Sequence, residues 1–246
     1  MLHLKGRPWY PVVMTHDDAV DVARARLIFA LDVGSAAEAR ELVARLAPEI
    51  SFFKVGLELF TAAGPAIVEW LVGEGYRVFL DLKLLDIATT VGRAVAAAGR
   101  LGAEVITVHA EPAVLEAAVG GKVGGRPLVF AVSLLTSEAC MNAADRVAKV
   151  AGLAAGCGID GLIAAGLPEE IGAVRAVSPA LAVICPGIRP AGSAAGDQRR
   201  VATPAAAMRA GADYLVVGRP IRDADDPLAA ARTIIGEMAE GLSSAG

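Results

Sequence analysis

A rhythm of short apolar runs constrains this chain more than any other feature. Eight runs are β-branched or continuously apolar: "LIFALDV" (27–33), "FFKVGLEL" (52–59), "RVFLDLK" (77–83), "VITVHA" (105–110), "PLVFAVS" (127–133), "GLIAAG" (161–166), "LAVICPGI" (181–188) and "YLVVGRP" (214–220). Strands buried on both faces read this way, without the polar alternation of half-exposed ones. Between them lie alanine-rich stretches of helical pattern. "SAAEARELVARL" opens on Ser35 with Glu38 three residues on, a capping-box spacing. "DIATTVGRAVAAAGRLG", "NAADRVAKVAGLAAG", "TPAAAMRAG" and "DPLAAARTIIGEMAEGL" continue the pattern, and Gly102, Gly156 and Gly211 stand where helix C-terminal glycines belong. The repeat predicts an α/β fold, a (β/α)8 TIM barrel forming a single domain over residues 26–241. A doubly wound open sheet is the alternative. Residues 1–25 are expected to form an N-terminal extension with room for a short helix; Met14 offers a second start, and no function attaches to the segment.

Composition excludes several classes. With 55% hydrophobic residues the chain can fill a large core, and a net charge of −4 argues against general nucleic-acid binding, which needs a basic face. No apolar run has the length of a membrane helix, and the N-terminus lacks the apolar centre of a signal peptide. Cys140, Cys157 and Cys185 have no CxxC spacing and suit a reduced, cytoplasmic protein; His3, His16 and His109 are too scattered for an obvious metal site.

Charges inside the apolar runs are the anomaly, because a buried charge is costly unless paired. "DLKLLDIATT" carries Asp81, Lys83 and Asp86; Asp32 ends the first run and Lys54 lies in the second. Side chains two apart on a strand share a face, so Asp81 and Lys83 are expected to project together, with Asp86 on the loop beyond. Barrel active sites lie at the C-terminal strand ends, where all five charges fall. One such pair reads as a structural salt bridge. Five alternating charges from three successive strands read as a catalytic array.

The seventh and eighth strand ends supply a second constellation. "CPGIRP" contains Arg189, "GDQRR" contains Gln198, and "VGRPI" contains Gly218 and Arg219. Loops at this position commonly bind phosphate in such barrels; glycine exposes backbone N–H groups and arginine matches phosphate oxygens. Arg199 and Arg200 read as ordinary surface arginines. Thr136, in "SLLTSEA", can hydrogen-bond a polar ligand ring or cap the following turn. His109 reads as a hydrogen-bonded structural histidine.

With these residues in place, the chain resembles the orotidine 5′-phosphate decarboxylase family from residue 27 to about 235, on "ALDV", "FKVGLELF", "DLKLLDIATT", "LLTS", "PGIRP", "DQRRVATP" and "GADYLVVGRPI". The resemblance implies loss of CO2 from orotidine 5′-phosphate to give uridine 5′-phosphate, in de novo pyrimidine synthesis. It implies that Asp81, Lys83 and Asp86 are catalytic, with Lys83 the proton donor. Asp32 and Lys54 would hold the ribose hydroxyls, Thr136 would read the pyrimidine edge, and Arg189, Gln198, Gly218 and Arg219 would surround the phosphate. Thr90, the last residue of the central motif, joins the substrate-binding set. The family implies a homodimer without metal or organic cofactor, with Asp86 reaching the neighbouring subunit's site. Leu84, Leu85, Ala88 and Thr89 replace the family's usual Phe, His, Pro and Asn, and Glu111 and Pro112 stand where a glycine pair is frequent.

Two alternatives stand beside this reading. One is a Mg²⁺-dependent hexulose-phosphate synthase or keto-gulonate-phosphate decarboxylase on the same barrel, for which Glu58 is the candidate extra ligand and Lys54 an obstacle. The other is a non-catalytic phosphometabolite-binding protein.

Overall fold

The computed structural model describes residues 15–134, 141–191 and 200–244. Eight parallel strands close into a barrel in sequence order, each hydrogen-bonded to the next and β8 back to β1. In chain order the elements are α1 (His16–Arg26), β1 (Leu27–Ala30), α2 (Ala36–Leu46), β2 (Phe52–Gly56), α3 (Leu57–Ala63), α4 (Ala66–Gly73) and β3 (Arg77–Leu84). There follow α5 (Ala88–Arg100), β4 (Val105–His109), α6 (Pro112–Gly120), β5 (Leu128–Val132), α7 (Ala143–Cys157), β6 (Gly161–Ile163), α8 (Pro168–Val177) and β7 (Ala182–Cys185). The chain ends with α9 (Pro204–Ala210), β8 (Tyr214–Val217), α10 (Arg219–Arg222) and α11 (Pro227–Ser243). The closed barrel, rather than the open sheet, is the architecture.

Two cores explain the unbroken hydrophobicity of the strands. Inside the barrel, Ile28, Phe52, Phe79, Val105, Phe130, Val132, Ile163, Ile184 and Val216 fill the axis. The alternate side chains, among them Phe29, Phe53, Val78, Ile106, Val129, Leu162, Val183 and Leu215, pack outward against the helices. Each strand therefore contributes apolar side chains to both cores. Shape is matched inside: Gly161 leaves room for the Phe130 ring, and a Cβ there would drive into that ring and the Ala182 carbonyl. The N-terminal end of the barrel is plugged by Arg77. Its guanidinium donates two bonds to Glu104 (2.8 Å each) and one to the Ala25 carbonyl (2.9 Å), and lies 4.0 Å over the Phe52 ring.

Local chemistry sets the helix ends, with two departures from expectation. Ser35 accepts from the Glu38 N–H, but the Glu38 carboxylate reaches back to the Gly34 N–H instead of to Ser35 itself. Gly156 lies inside α7; the left-handed cap is Gly158 (φ 76°), two residues later, because the helix keeps its hydrogen bonds until a residue without a Cβ allows reversal. Helix α1 is joined to the barrel: Ala19 and Ala23 are fully buried, and Glu49 accepts from both Arg24 (3.0 Å) and Arg232 (2.9 Å) of α11. Most strands stop earlier than their apolar runs. Residues 57–59 are already helical, and β1 ends at Ala30, so Asp32 lies two residues past the ladder. Past the ladder the apolar signal divides: Leu31 and Leu59 stay buried after backbone pairing ends, whereas Leu57 is exposed.

Candidate active site

Four of the five charges anticipated at the mouth meet in a chain. Lys54, on β2 and 9% exposed, places its Nζ 2.8 Å from Asp32 Oδ1 and 3.8 Å from Asp81 Oδ2. Lys83 Nζ donates to both oxygens of Asp81 at 2.9 Å. The order Asp32–Lys54–Asp81–Lys83 gives each inner member a counter-charge on both sides. This arrangement keeps partly desolvated charges tolerable.

A break in the sheet holds this geometry. Leu80 pairs with Ile106 and Leu84 with Val108, so between these pairs three residues of β3 (81–83) stand against one of β4, Thr107. The extra length is absorbed at Lys83, whose φ of 49° lies in the left-handed region. For a residue with a Cβ that conformation costs about 1–2 kcal/mol. Asp81 and Lys83 do share a side of the strand, through this bulge and not through plain two-residue alternation. The Lys83 N–H, displaced from the ladder, donates to Thr107 Oγ1 (2.9 Å), and the Thr107 hydroxyl donates to Asp81 Oδ1 (2.9 Å). Thr107 is fully buried.

Lys54, Asp81 and Lys83 form one wall of a cavity of about 200 Å³. Phe79, Val132, Leu134 and Ile163 line its floor and side, and Ile184, Pro186 and Val216 close it on the β7–β8 side. The cavity thus joins the charge array to the strand ends that carry Arg189, Gly218 and Arg219. Arg219 opens α10 directly after Gly218. Arg189 donates to the Ile188 carbonyl (2.9 Å), on the short segment where Ile188 bridges to Ala202.

Asp86 and Thr90 are not part of the cavity wall. Asp86 is exposed beyond β3, and its carboxylate accepts from the Ile87 N–H (2.6 Å); among the described residues it has no cationic partner. Thr90 is exposed in the first turn of α5. Thr136 and Gln198, like Arg199 and Cys140, lie outside the described residues.

Sequence reasoning missed three contributors. Thr107 looks like an ordinary β-branched strand residue. Arg200, expected at the surface, is buried against the fully buried Glu170 (2.9 Å), whose other oxygen accepts from the Ala165 N–H (3.1 Å). Burial pushes the Glu170 carboxyl above its usual range, while Arg200 pulls it back down. Arg222, on α10, donates to the Asp32 carbonyl (2.6 Å) and so ties the first strand end to the eighth. An unusual density of arginines around strands seven and eight was the one available signal. Cys185 is fully buried with its thiol pushed well up by desolvation, which makes it a poor nucleophile. Among the described residues, no three His, Cys, Asp or Glu side chains converge as a metal site would require.

The fold and the ionic mouth define a (β/α)8-barrel enzyme with its polar chemistry at the C-terminal strand ends. Within that class the chain belongs to the orotidine 5′-phosphate decarboxylase / HUMPS family, whose sequence model matches residues 25–234. It is 50% identical over 230 residues to an orotidine 5′-phosphate decarboxylase of Methylobacterium sp. (strain 4-46), covering 88% of this chain and 97% of that one. It is 48% identical over 226 residues to the enzyme of the same name from Afipia carboxidovorans, covering 88% and 95%. The crystal structure of orotidine 5′-phosphate decarboxylase from Lactobacillus acidophilus superposes with a TM-score of 0.73 at 33% identity, over 86% of this chain and 98% of that one.

Proposed function

We propose that this chain decarboxylates orotidine 5′-phosphate to uridine 5′-phosphate and CO2, the step that completes de novo uridylate synthesis. The observation that carries the reading is the unbroken Asp32–Lys54–Asp81–Lys83 array facing an apolar cavity. The names of the relatives at 50% and 48% identity support it.

The substrate ring has no good electron sink beside its carboxylate. As the C–C bond to the carboxylate breaks, CO2 leaves and the electron pair stays on the ring carbon. The Lys83 ammonium stabilises that developing charge and then transfers a proton to the carbon, recovering one from solvent afterwards. Asp81 stands beside the departing carboxylate. Its repulsion fades as CO2 forms, so it favours the transition state over the bound substrate. Binding must hold the substrate against that repulsion. Asp32 and Lys54 take the ribose hydroxyls, Arg189, Gly218 and Arg219 take the phosphate together with Gln198, and Thr136 reads the ring edge.

Lys54 also separates this reading from a Mg²⁺-dependent relative. Its ammonium already bridges Asp32 and Asp81, where it would repel a divalent cation, and Glu58 is exposed on α3. No metal or organic cofactor enters the chemistry.

The active form is a homodimer in which Asp86 serves the partner's site, and Thr90 belongs to the substrate-binding set. Support comes from the residues flanking Asp86: Leu85 (59% exposed) and Ile87 (72%) are large apolar side chains left open beside an aspartate outside its own cavity. The scattered cysteines and the absence, among the described residues, of a helix long and apolar enough to cross a membrane agree with a cytoplasmic site of action. The test is the ultraviolet absorbance change on conversion of orotidine 5′-phosphate, with and without EDTA. Turnover that survives chelation is expected. No turnover, or turnover that chelation abolishes and Mg²⁺ restores, rejects the reading.

A further inference from the structure

We infer that Thr107 is a positioning residue for the reaction, one hydroxyl that sets both the backbone of Lys83 and the carboxylate of Asp81. The inference rests on the proposed decarboxylation and deepens it.

Where β3 carries three residues against the single Thr107 of β4, the Lys83 N–H has no ladder carbonyl opposite it. A buried N–H without a partner is costly, so something must replace the carbonyl. Thr107 Oγ1 does so at 2.9 Å. That acceptor role leaves the hydroxyl proton free to point elsewhere, and it points at Asp81 Oδ1, also at 2.9 Å. Both bonds come from one oxygen on a neighbouring strand. Thr107 therefore fixes the two ends of the Asp81–Lys83 pair in relation to each other. Without it the left-handed turn at Lys83 (φ 49°) would lose the hydrogen bond that holds it, and Asp81 Oδ1 would keep only the mobile Lys83 ammonium.

Burial strengthens the case. Among the described residues, Thr107 and Glu170 are the two polar side chains with no exposure at all. Thr107 shares its face of β4 with His109 and with Val105, which packs in the barrel interior. Valine has nearly the same shape and would satisfy packing. Only the hydroxyl distinguishes the two, and the hydroxyl is spent on the site. Thr107 touches no substrate atom on this account; it acts through Asp81 and Lys83.

The experiment compares Thr107→Val with Thr107→Ser, measuring kcat and KM for orotidine 5′-phosphate, binding of uridine 5′-phosphate, and thermal melting. Losing hydrogen bonds to a charged group and to a backbone N–H should lower kcat roughly ten- to a hundredfold. KM and product binding should stay within about threefold, because the ribose and phosphate contacts are untouched. Thr107→Ser, which keeps the hydroxyl, should recover most of the rate. If Thr107→Val does not fold, Thr107→Ala removes the same hydroxyl without adding a methyl, and the same comparison is made with it. A hydroxyl-free variant with wild-type kcat overturns the inference. So does a Ser variant that falls as far as the Val or Ala variant, since shape and not the hydroxyl would then be at work. An inactive wild-type chain would instead reject the decarboxylase reading itself, a result distinct from a working enzyme indifferent to Thr107.

Discussion

Lys54→Met is the sharpest probe of the ionic array, because it removes one charge and nearly preserves volume. Lys54 lies 2.8 Å from Asp32 and 3.8 Å from Asp81. At an effective dielectric of 20 these contacts correspond to about 6 and 4 kcal/mol. The two do not count equally. The Asp32 side chain is 47% exposed, so water takes over most of what the lysine gave it. Asp81 is 12% exposed and has little water to turn to, so the contact that matters is the longer one. Methionine needs no desolvation, which returns part of the loss. The net expectation is a fall in kcat/KM of about a hundred- to a thousandfold, at roughly 1.4 kcal/mol per decade. Stability should change little, since the variant also removes a buried ammonium. The assay is absorbance-monitored turnover of orotidine 5′-phosphate, with circular dichroism melts as the control. A folded Lys54→Met protein within tenfold of wild-type kcat/KM would refute the view that the lysine holds Asp81 in its working state.

Two further outcomes are expected. Lys83→Ala and Asp86→Ala should each be inactive alone; after random subunit exchange about half the dimers are mixed, and roughly a quarter of all sites should regain activity if each subunit lends Asp86 to the other. Demonstrated exchange with no recovery would place Asp86 in its own chain's site. At the opposite end of the barrel, burial works to raise the Glu104 carboxyl, but the Arg77 fork outweighs it and holds the group below its usual value of 4.5. A carboxyl depressed in the folded state adds stability that is complete above the unfolded value and is lost as pH falls through the folded one. Urea stability should therefore drop on acidification below about pH 4.5, and Glu104→Gln should be weaker by about 2–3 kcal/mol at neutral pH with a flatter acid limb. An unchanged acid limb in that variant would show that other groups carry the dependence.

Strand starts were legible to within a residue because each begins where a doubly buried, continuously apolar run begins. Leu27, Phe52, Arg77, Val105, Gly161 and Tyr214 all open both the run and the strand. Strand ends were not legible, since an apolar run does not report where backbone pairing stops; Leu31 stays buried past β1, and the exposed Leu57 is already helical although it continues an apolar run. The same division holds in the site. Asp32, Lys54, Asp81 and Lys83 announced themselves as charges within apolar segments, and fold class turned their positions into a place, the C-terminal mouth. Thr107, Arg200 and Arg222 carried no such signal. Their roles depend on partners 26, 30 and 190 residues away, namely Asp81, Glu170 and the Asp32 carbonyl. Local pattern reports which face of an element is buried and whether a charge is out of place. It does not report the register between neighbouring strands. That register, three residues of β3 against one of β4, is decided between strands and not within one, and it turns an ordinary strand threonine into the hydrogen-bonding partner of both Asp81 and Lys83.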